Sequence, residues 1–234
     1  MKQGKLGVIG GMGPQAGLLF CQRVLDCTAA HSDQEHIPTL IVSDTEMPDR
    51  TAALLSGETA PVRDRLLADA RALEGWGATA IAITCNTAHA FLPFFEKELT
   101  VPVVNMITET AAALKAMGAR QVGIMATDGT IKMGLYHAAL AQQGLEAVSP
   151  GPKEQRLVMS LIYDEIKSGL RGSEEKFAAV VSALKAVGCE HIVLACTELS
   201  AYKDWHPVDE VCVDAMDVLA RRCVELCGYP LRSC

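Results

Sequence analysis

The stretch GATAIAITCNT, residues 77–87, recurs 111 positions later as GCEHIVLACTE, residues 188–198. The two align without a gap, Gly77 on Gly188 and Cys85 on Cys196. Two further pairs keep the same order. KLGVIGGMG (5–13) resembles RQVGIMATDG (120–129), and VVNMITETAAALKAMG (103–118) resembles CVDAMDVLARRCVELCG (212–228). Gly7 on Gly123 and Asn105 on Asp214 give offsets of 116 and 109. Offsets this constant across three separate matches describe two related halves, each bound to the same local plan.

That plan is a strand followed by a helix. Apolar runs at 6–10, 39–43, 80–84, 101–105, 121–126, 146–150, 191–195 and 211–214 read as strands. Helical patterns between them cover 15–29, 62–76, 109–117, 134–143, 155–168 and 174–187. Such alternation predicts parallel sheet with crossover helices. Half of the 234 residues are hydrophobic and only 5% aromatic, a mix that suits helix-covered parallel strands. The expected fold is therefore α/β. Two pseudo-symmetric three-layer αβα lobes, with mostly parallel sheets, face each other across a central cleft. Residues 1–105 with 208–234 are expected in the first lobe, and 106–207 in the second.

A formal charge of −7 with no basic block argues against nucleic acid as a partner. No secretion signal and no apolar run of about 18 residues is visible, so a membrane is not expected either. Nine cysteines, an odd number in a chain this long, suit free thiols in the cytoplasm rather than disulfides. There is no CxxC, and no metal site is expected. Cys21, Cys27, Cys189, Cys212, Cys223 and Cys227 read as buried or half-buried packing residues, and terminal Cys234 as exposed.

Cys85 and Cys196 differ from these. Each ends a strand, where binding groups of open parallel sheets gather, and each precedes polar residues, CNT and CTE. Two facing lobes would present both thiols to one cleft. Opposed thiols suit removal of an α-proton from one face and delivery to the other, because the reference thiol pKa of about 8.5 lies near working pH. Asn86, Thr87, Thr197 and Glu198 supply helix-start chemistry, whose N–H groups favour thiolate and carboxylate charge.

The motifs GGMGP (10–14), MPDRTAALL (47–55), CNTAH (85–89), ATDGT (126–130), LVMSLIYDEIKSG (157–169) and CTEL (196–199) resemble the cofactor-independent aspartate/glutamate racemase superfamily, most closely its aspartate racemase branch. The resemblance spans nearly the whole chain. It implies a two-lobe homodimer with no cofactor and a dicarboxylic amino-acid substrate, with Cys85 and Cys196 as the acid/base pair. By the same resemblance Met12 and Gly13 line the cleft. Asn86, Thr87, Thr127 and Thr197 bind the α-carboxylate and amino group, and Arg50 and Lys167 hold the second carboxylate.

Other readings compete. GMGPQA (11–16) fits GxGxxA, the mark of a nicotinamide-dependent oxidoreductase. Yet Asp44 lies 33 positions beyond Gly11, where that fingerprint expects about 20. A racemase, isomerase or decarboxylase for other amino acids, or a binding protein that kept the cleft, also fits the lobes. His89, four residues after Cys85, reads as capping or packing, and Glu198 as a contact to substrate amine or backbone. The remaining histidines show no ligand spacing. Asp128 and Gly129 are expected to shape the turn that positions Thr127.

Overall fold

A computed structural model describes residues 3–233; Cys234 lies outside the described residues. The first sheet holds β1 (Leu6–Gly10), β2 (Thr39–Ser43), β3 (Ala80–Ile83) and β4 (Val103–Val104), in the order β2-β1-β3-β4. The second holds β5 (Gln121–Ala126), β6 (Glu146–Val148), β7 (His191–Ala195) and β8 (Cys212–Asp214), in the order β6-β5-β7-β8. Every strand pairing within the two sheets is parallel. Replacing each strand by its repeat partner turns one order into the other, so the duplication seen in the sequence is a duplication of topology.

The helices are α1 (Pro14–Cys27), α2 (Arg50–Ser56), α3 (Ala60–Gly75), α4 (Met106–Ala116), α5 (Asp128–Lys132), α6 (Leu135–Gln142), α7 (Pro152–Met159), α8 (Glu174–Ala186), α9 (Thr197–Trp205) and α10 (Ala215–Leu226). Matched side chains start the last helix of each half. Asn105 Oδ1 accepts from the amides of Ile107 and Thr108, and Asp214 Oδ1 from that of Met216. Each satisfies a first-turn N–H that has no carbonyl partner. These two helices then cross over. α4, which follows the first sheet, packs on α6; α10, which follows the second, packs on α1; and the two pack on each other.

The lobes thus share their inner helical layer. One hydrophobic cluster joins Val8, Phe20 and Ala82 to Ile124, Val193, Met216 and Leu219. The outer layers stay separate, with Ile9, Leu66, Ile81 and Ile83 in one cluster and Phe177, Ile192, Leu194 and Leu199 in the other. Side chains alternate across a strand with a period of two residues. Cys85 accordingly falls in phase with Ile81 and Ile83, and Cys196 with Ile192 and Leu194.

Three expectations need correction. Residues 212–214 pair with β7, so that part of 208–234 belongs to the second sheet, and only the following helix returns to pack on α1. The helix expected over 155–168 is α7 followed by a π-helical segment, Ser160–Ile166. The chain after Cys85 is a 3-10 segment, Thr87–Phe94, rather than an α-helix. Pro93 within it has no N–H to donate. The His89 amide bonds Asn86 O at 3.1 Å, while the His89 ring takes the Cys85 carbonyl that an α-helix would have used.

Gly11 shows how tightly the first turn is built. Its φ is +88°, and a Cβ there would stand 2.3 Å from the backbone carbonyl of Asp44. Gly57 has nearly the same φ, +87°, with nothing within 4 Å. Gly57→Ala is expected to cost about 1 kcal/mol, the backbone term alone. Gly11→Ala should cost about 3 kcal/mol or more, since backbone must also move. Urea unfolding of both variants checks the difference; equal losses would mean the Asp44 contact is not the constraint.

Candidate active site

The two strand-end thiols line one cavity. Met12, Asp49, Arg50, Thr51, Cys85, Asn86, Thr87, Thr127, Tyr163, Lys167, Cys196, Thr197 and Glu198 surround about 10 Å³ of space. That volume is about what a single water molecule needs, so the site is narrow. Gly13 lies just outside, in a 200 Å³ pocket that shares Lys167, Thr197 and Glu198 with the narrow cavity. A larger depression, 470 Å³ between α8 and α9, has no thiol among its lining residues. Among the described residues no cluster of His, Cys, Asp and Glu has the makings of a metal site.

Arg50 opens α2, whose N-cap Asp49 accepts from the Ala52 amide at 2.7 Å. That position buries the guanidinium to 8% exposure. It donates to the carbonyls of Met47, Pro48 and Met12 at 3.3, 2.9 and 3.3 Å, and its Nε is buried without a partner. Burial opposes its charge, but Cys85 and then Asp49 outweigh that cost and hold it above its ordinary pKa. Among the described residues Arg50 forms no salt bridge. A buried cation held by carbonyls and beside the Cys85 thiol, with no salt bridge to a carboxylate among the described residues, is poised for an incoming anion.

The other cation is not free. Lys167, at the end of the π-helical segment, pairs with Glu198 Oε1 at 2.8 Å and lies 5.4 Å from the Tyr163 ring centre. Burial opposes its charge too, yet Glu198 and Cys196 keep it above the usual lysine value. The second oxygen of Glu198 accepts the Cys196 thiol proton at 2.8 Å. Burial first, and the Glu198 charge second, push that thiol well above its ordinary value, with Lys167 opposing. Cys196 therefore rests as a thiol. It is also the N-cap of α9, so the first N–H groups of a real α-helix lie beside its sulfur. Cys85 has Arg50 for company instead.

Hydroxyls from both lobes meet below the thiols. Thr127 Oγ1 lies 3.2 Å from Thr51, 3.0 Å from Thr87 and 3.2 Å from Thr130, and Thr87 lies 2.9 Å from Thr130. Gly129 lets α2 approach this close: a Cβ there would stand 3.0 Å from the Thr51 backbone. Thr127 caps α5, while Asp128 is held by Gln155 at 2.8 Å.

His89 settles as a structural residue. Met106 N–H donates to its Nε2 at 3.1 Å, so its Nδ1 carries the proton and donates to Cys85 O at 2.9 Å. Burial lowers its pKa and keeps it neutral. The expected capping by Asn86 and Thr87 is absent, because both side chains are engaged elsewhere. Asp49, Thr51 and Tyr163 line the cavity although the sequence reading did not single them out. Two of them flank Arg50, and Tyr163 stands four residues before Lys167, one turn along a helix face.

Comparison with known proteins agrees with this geometry. The profile of the Asp/Glu/Hydantoin racemases matches residues 9–223. The structure of Picrophilus torridus aspartate racemase superposes with a TM-score of 0.85 at 29% identity, over 98% of this chain and 96% of that one. The broad specificity amino-acid racemase RacX of Bacillus subtilis is 22% identical over 94% of this chain and 96% of its own. A glutamate racemase of Shewanella woodyi is 27% identical over 74% of this chain, a match that spans only 59% of that longer protein. From a profile match over most of its length, on a duplicated fold with a thiol ending the third strand of each half, the chain belongs to the Asp/Glu/Hydantoin racemase family.

Proposed function

We propose that this protein is a cofactor-independent amino-acid racemase acting on aspartate, with Cys85 and Cys196 as base and acid on opposite faces of the α-carbon. One observation carries the reading. Both strand-end thiols line a single narrow cavity together with a buried arginine that forms no salt bridge to a carboxylate among the described residues. In each turnover one sulfur takes the α-proton while the other delivers a proton to the opposite face, so the pair exchanges protonation states. The resting arrangement starts with the proton on Cys196, held by Glu198, and with Cys85 beside the positive charge of Arg50.

Asn86, Thr87, Thr127 and Thr197 hold the α-carboxylate and amino group. The N–H groups at the start of α9 stabilise the enediolate-like charge that develops on the carboxylate. Arg50 takes the second carboxylate, its planar fork allowing two parallel bonds, and Lys167 adds a point charge. Met12 and Gly13 form the wall of the first turn. Substrate admission requires the cavity to widen, and the neighbouring 200 Å³ pocket reaches it past the Lys167–Glu198 pair.

Likeness to the Picrophilus torridus aspartate racemase supports aspartate as the substrate. A racemase of broader range is the second reading. It is favoured by the Lys167–Glu198 pair, which leaves Arg50 as the uncompensated cation for a side chain. The proposal includes a cytoplasmic homodimer. Buried thiols at Cys189, Cys212, Cys223 and Cys227 are in keeping with a reducing compartment, and no helix among the described residues is long and apolar enough to cross a membrane.

Three tests follow from these roles. Cys85→Ala and Cys196→Ala should each slow racemisation of both aspartate enantiomers about 10³-fold or more, read by chiral chromatography. Near wild-type rates from both variants would refute the pair. Arg50→Ala should lower kcat/KM for aspartate about a hundredfold while changing α-proton exchange of alanine much less; equal losses would contradict dicarboxylate recognition. Glu198→Gln removes the negative charge that disfavours the Cys196 thiolate. Ionisation of Cys196 then occurs at lower pH, so the pH–rate profile should move down for the enantiomer that uses Cys196 as its base. Unchanged profiles for both enantiomers would remove Glu198 from the proton chemistry.

A further inference from the structure

Behind the cavity wall stands a tyrosine that no step of the mechanism uses. Tyr136, on α6, is fully buried, and its Oη donates to Asn86 Oδ1 at 2.5 Å. The bond crosses from the second half of the chain to the residue that follows Cys85. Thr110 also lies beside the phenol, but its hydroxyl proton is committed to Met106 O at 2.7 Å. The phenol proton therefore goes to the Asn86 amide oxygen, and burial keeps the phenol protonated by raising its pKa.

An asparagine amide presents a carbonyl on one side and an NH₂ on the other. With its oxygen turned to Tyr136, Asn86 keeps its nitrogen on the other edge of the planar amide, and the residue lines the cavity. No hydrogen bond from that nitrogen is found among the described residues. Turned the other way, the same amide would offer an oxygen to an incoming carboxylate and repel it.

We infer that Tyr136 is a positioning residue, fixing across the lobe boundary which face of the Asn86 amide meets the substrate carboxylate. It acts through Asn86 and touches no reacting atom. The inference rests on the reading of the cavity as a carboxylate site. It also ties binding to lobe geometry, because the donor to Asn86 rides on a helix of the other half.

Tyr136→Phe removes one oxygen and keeps the ring. Succinate binding by calorimetry and aspartate turnover test it together. The variant should raise the succinate Kd and the aspartate KM each about tenfold, the worth of one misdirected charge-assisted bond. The kcat should stay within about threefold and the Tm within about 2 °C, as for a change that spares the fold. Asn86→Asp keeps the acceptor for Tyr136 and replaces only the donor, so it should weaken succinate binding more than Tyr136→Phe does. In an Asn86→Ala background, Tyr136→Phe should add no further loss. Unchanged succinate binding in Tyr136→Phe or Asn86→Asp, or additive losses in the double variant, would overturn the inference. Succinate binding without aspartate turnover by the wild-type protein would sink the racemase reading and leave Tyr136 to be decided by succinate alone. Failure to bind either compound would sink both.

Discussion

The parity of two parallel strands governs everything that happens in the cavity. β3 and β7 each sit third in a four-strand sheet, and each sends alternate side chains to the shared inner layer and to its own outer layer. Cys85 and Cys196 continue the outer series by one more step beyond the strand. A slip of one residue in either strand would move that sulfur to the other face of the sheet. The register is held by the neighbours, Ile9 beside Ile83 on one side and Met125 beside Leu194 on the other. The crossing of α4 and α10 then fixes the two sheets relative to each other, since each half lends its last helix to the other's core.

On this symmetric frame the charges are not symmetric. Cys85 precedes a 3-10 segment and neighbours Arg50, whereas Cys196 is the N-cap residue of an α-helix and donates a hydrogen bond to Glu198. Burial magnifies both effects, because Arg50, Cys85, Cys196 and Glu198 are largely withdrawn from water and feel each other in a low dielectric. Duplication supplied two equivalent thiols, and local substitution gave them different surroundings.

How much of this was legible in the sequence depended on how local the cause was. The strands at 6–10, 121–126 and 191–195 were readable to the residue, because burial on both faces leaves a nearly unbroken apolar run, and the edge strand at 39–43 was readable from its β-branched core, Ile41 and Val42. The repeat made the paired cysteines legible as well. Short helices escaped, α2 and α5 among them, since fewer than eight residues carry little periodicity. The 3-10 segment escaped because its cause is a side chain, His89, that takes a carbonyl from the backbone. Asp49 and Thr51 were hidden in plain sight beside Arg50. The Lys167–Glu198 pair and the Tyr136–Asn86 bond join residues 31 and 50 positions apart, and no spacing rule reaches that far.

The central claim is that two sulfurs face one carbon, one removing a proton as the other supplies one. L-aspartate incubated with the enzyme in deuterium oxide, separated by hand and weighed by mass spectrometry early in the reaction, tests it directly. The account predicts that newly formed D-aspartate carries deuterium at the α-carbon while the remaining L-aspartate does not, because the proton taken by one thiol can return only to the face it left. Deuterium appearing in recovered L-aspartate as fast as in D-aspartate would mean that a single group, or solvent itself, serves both faces.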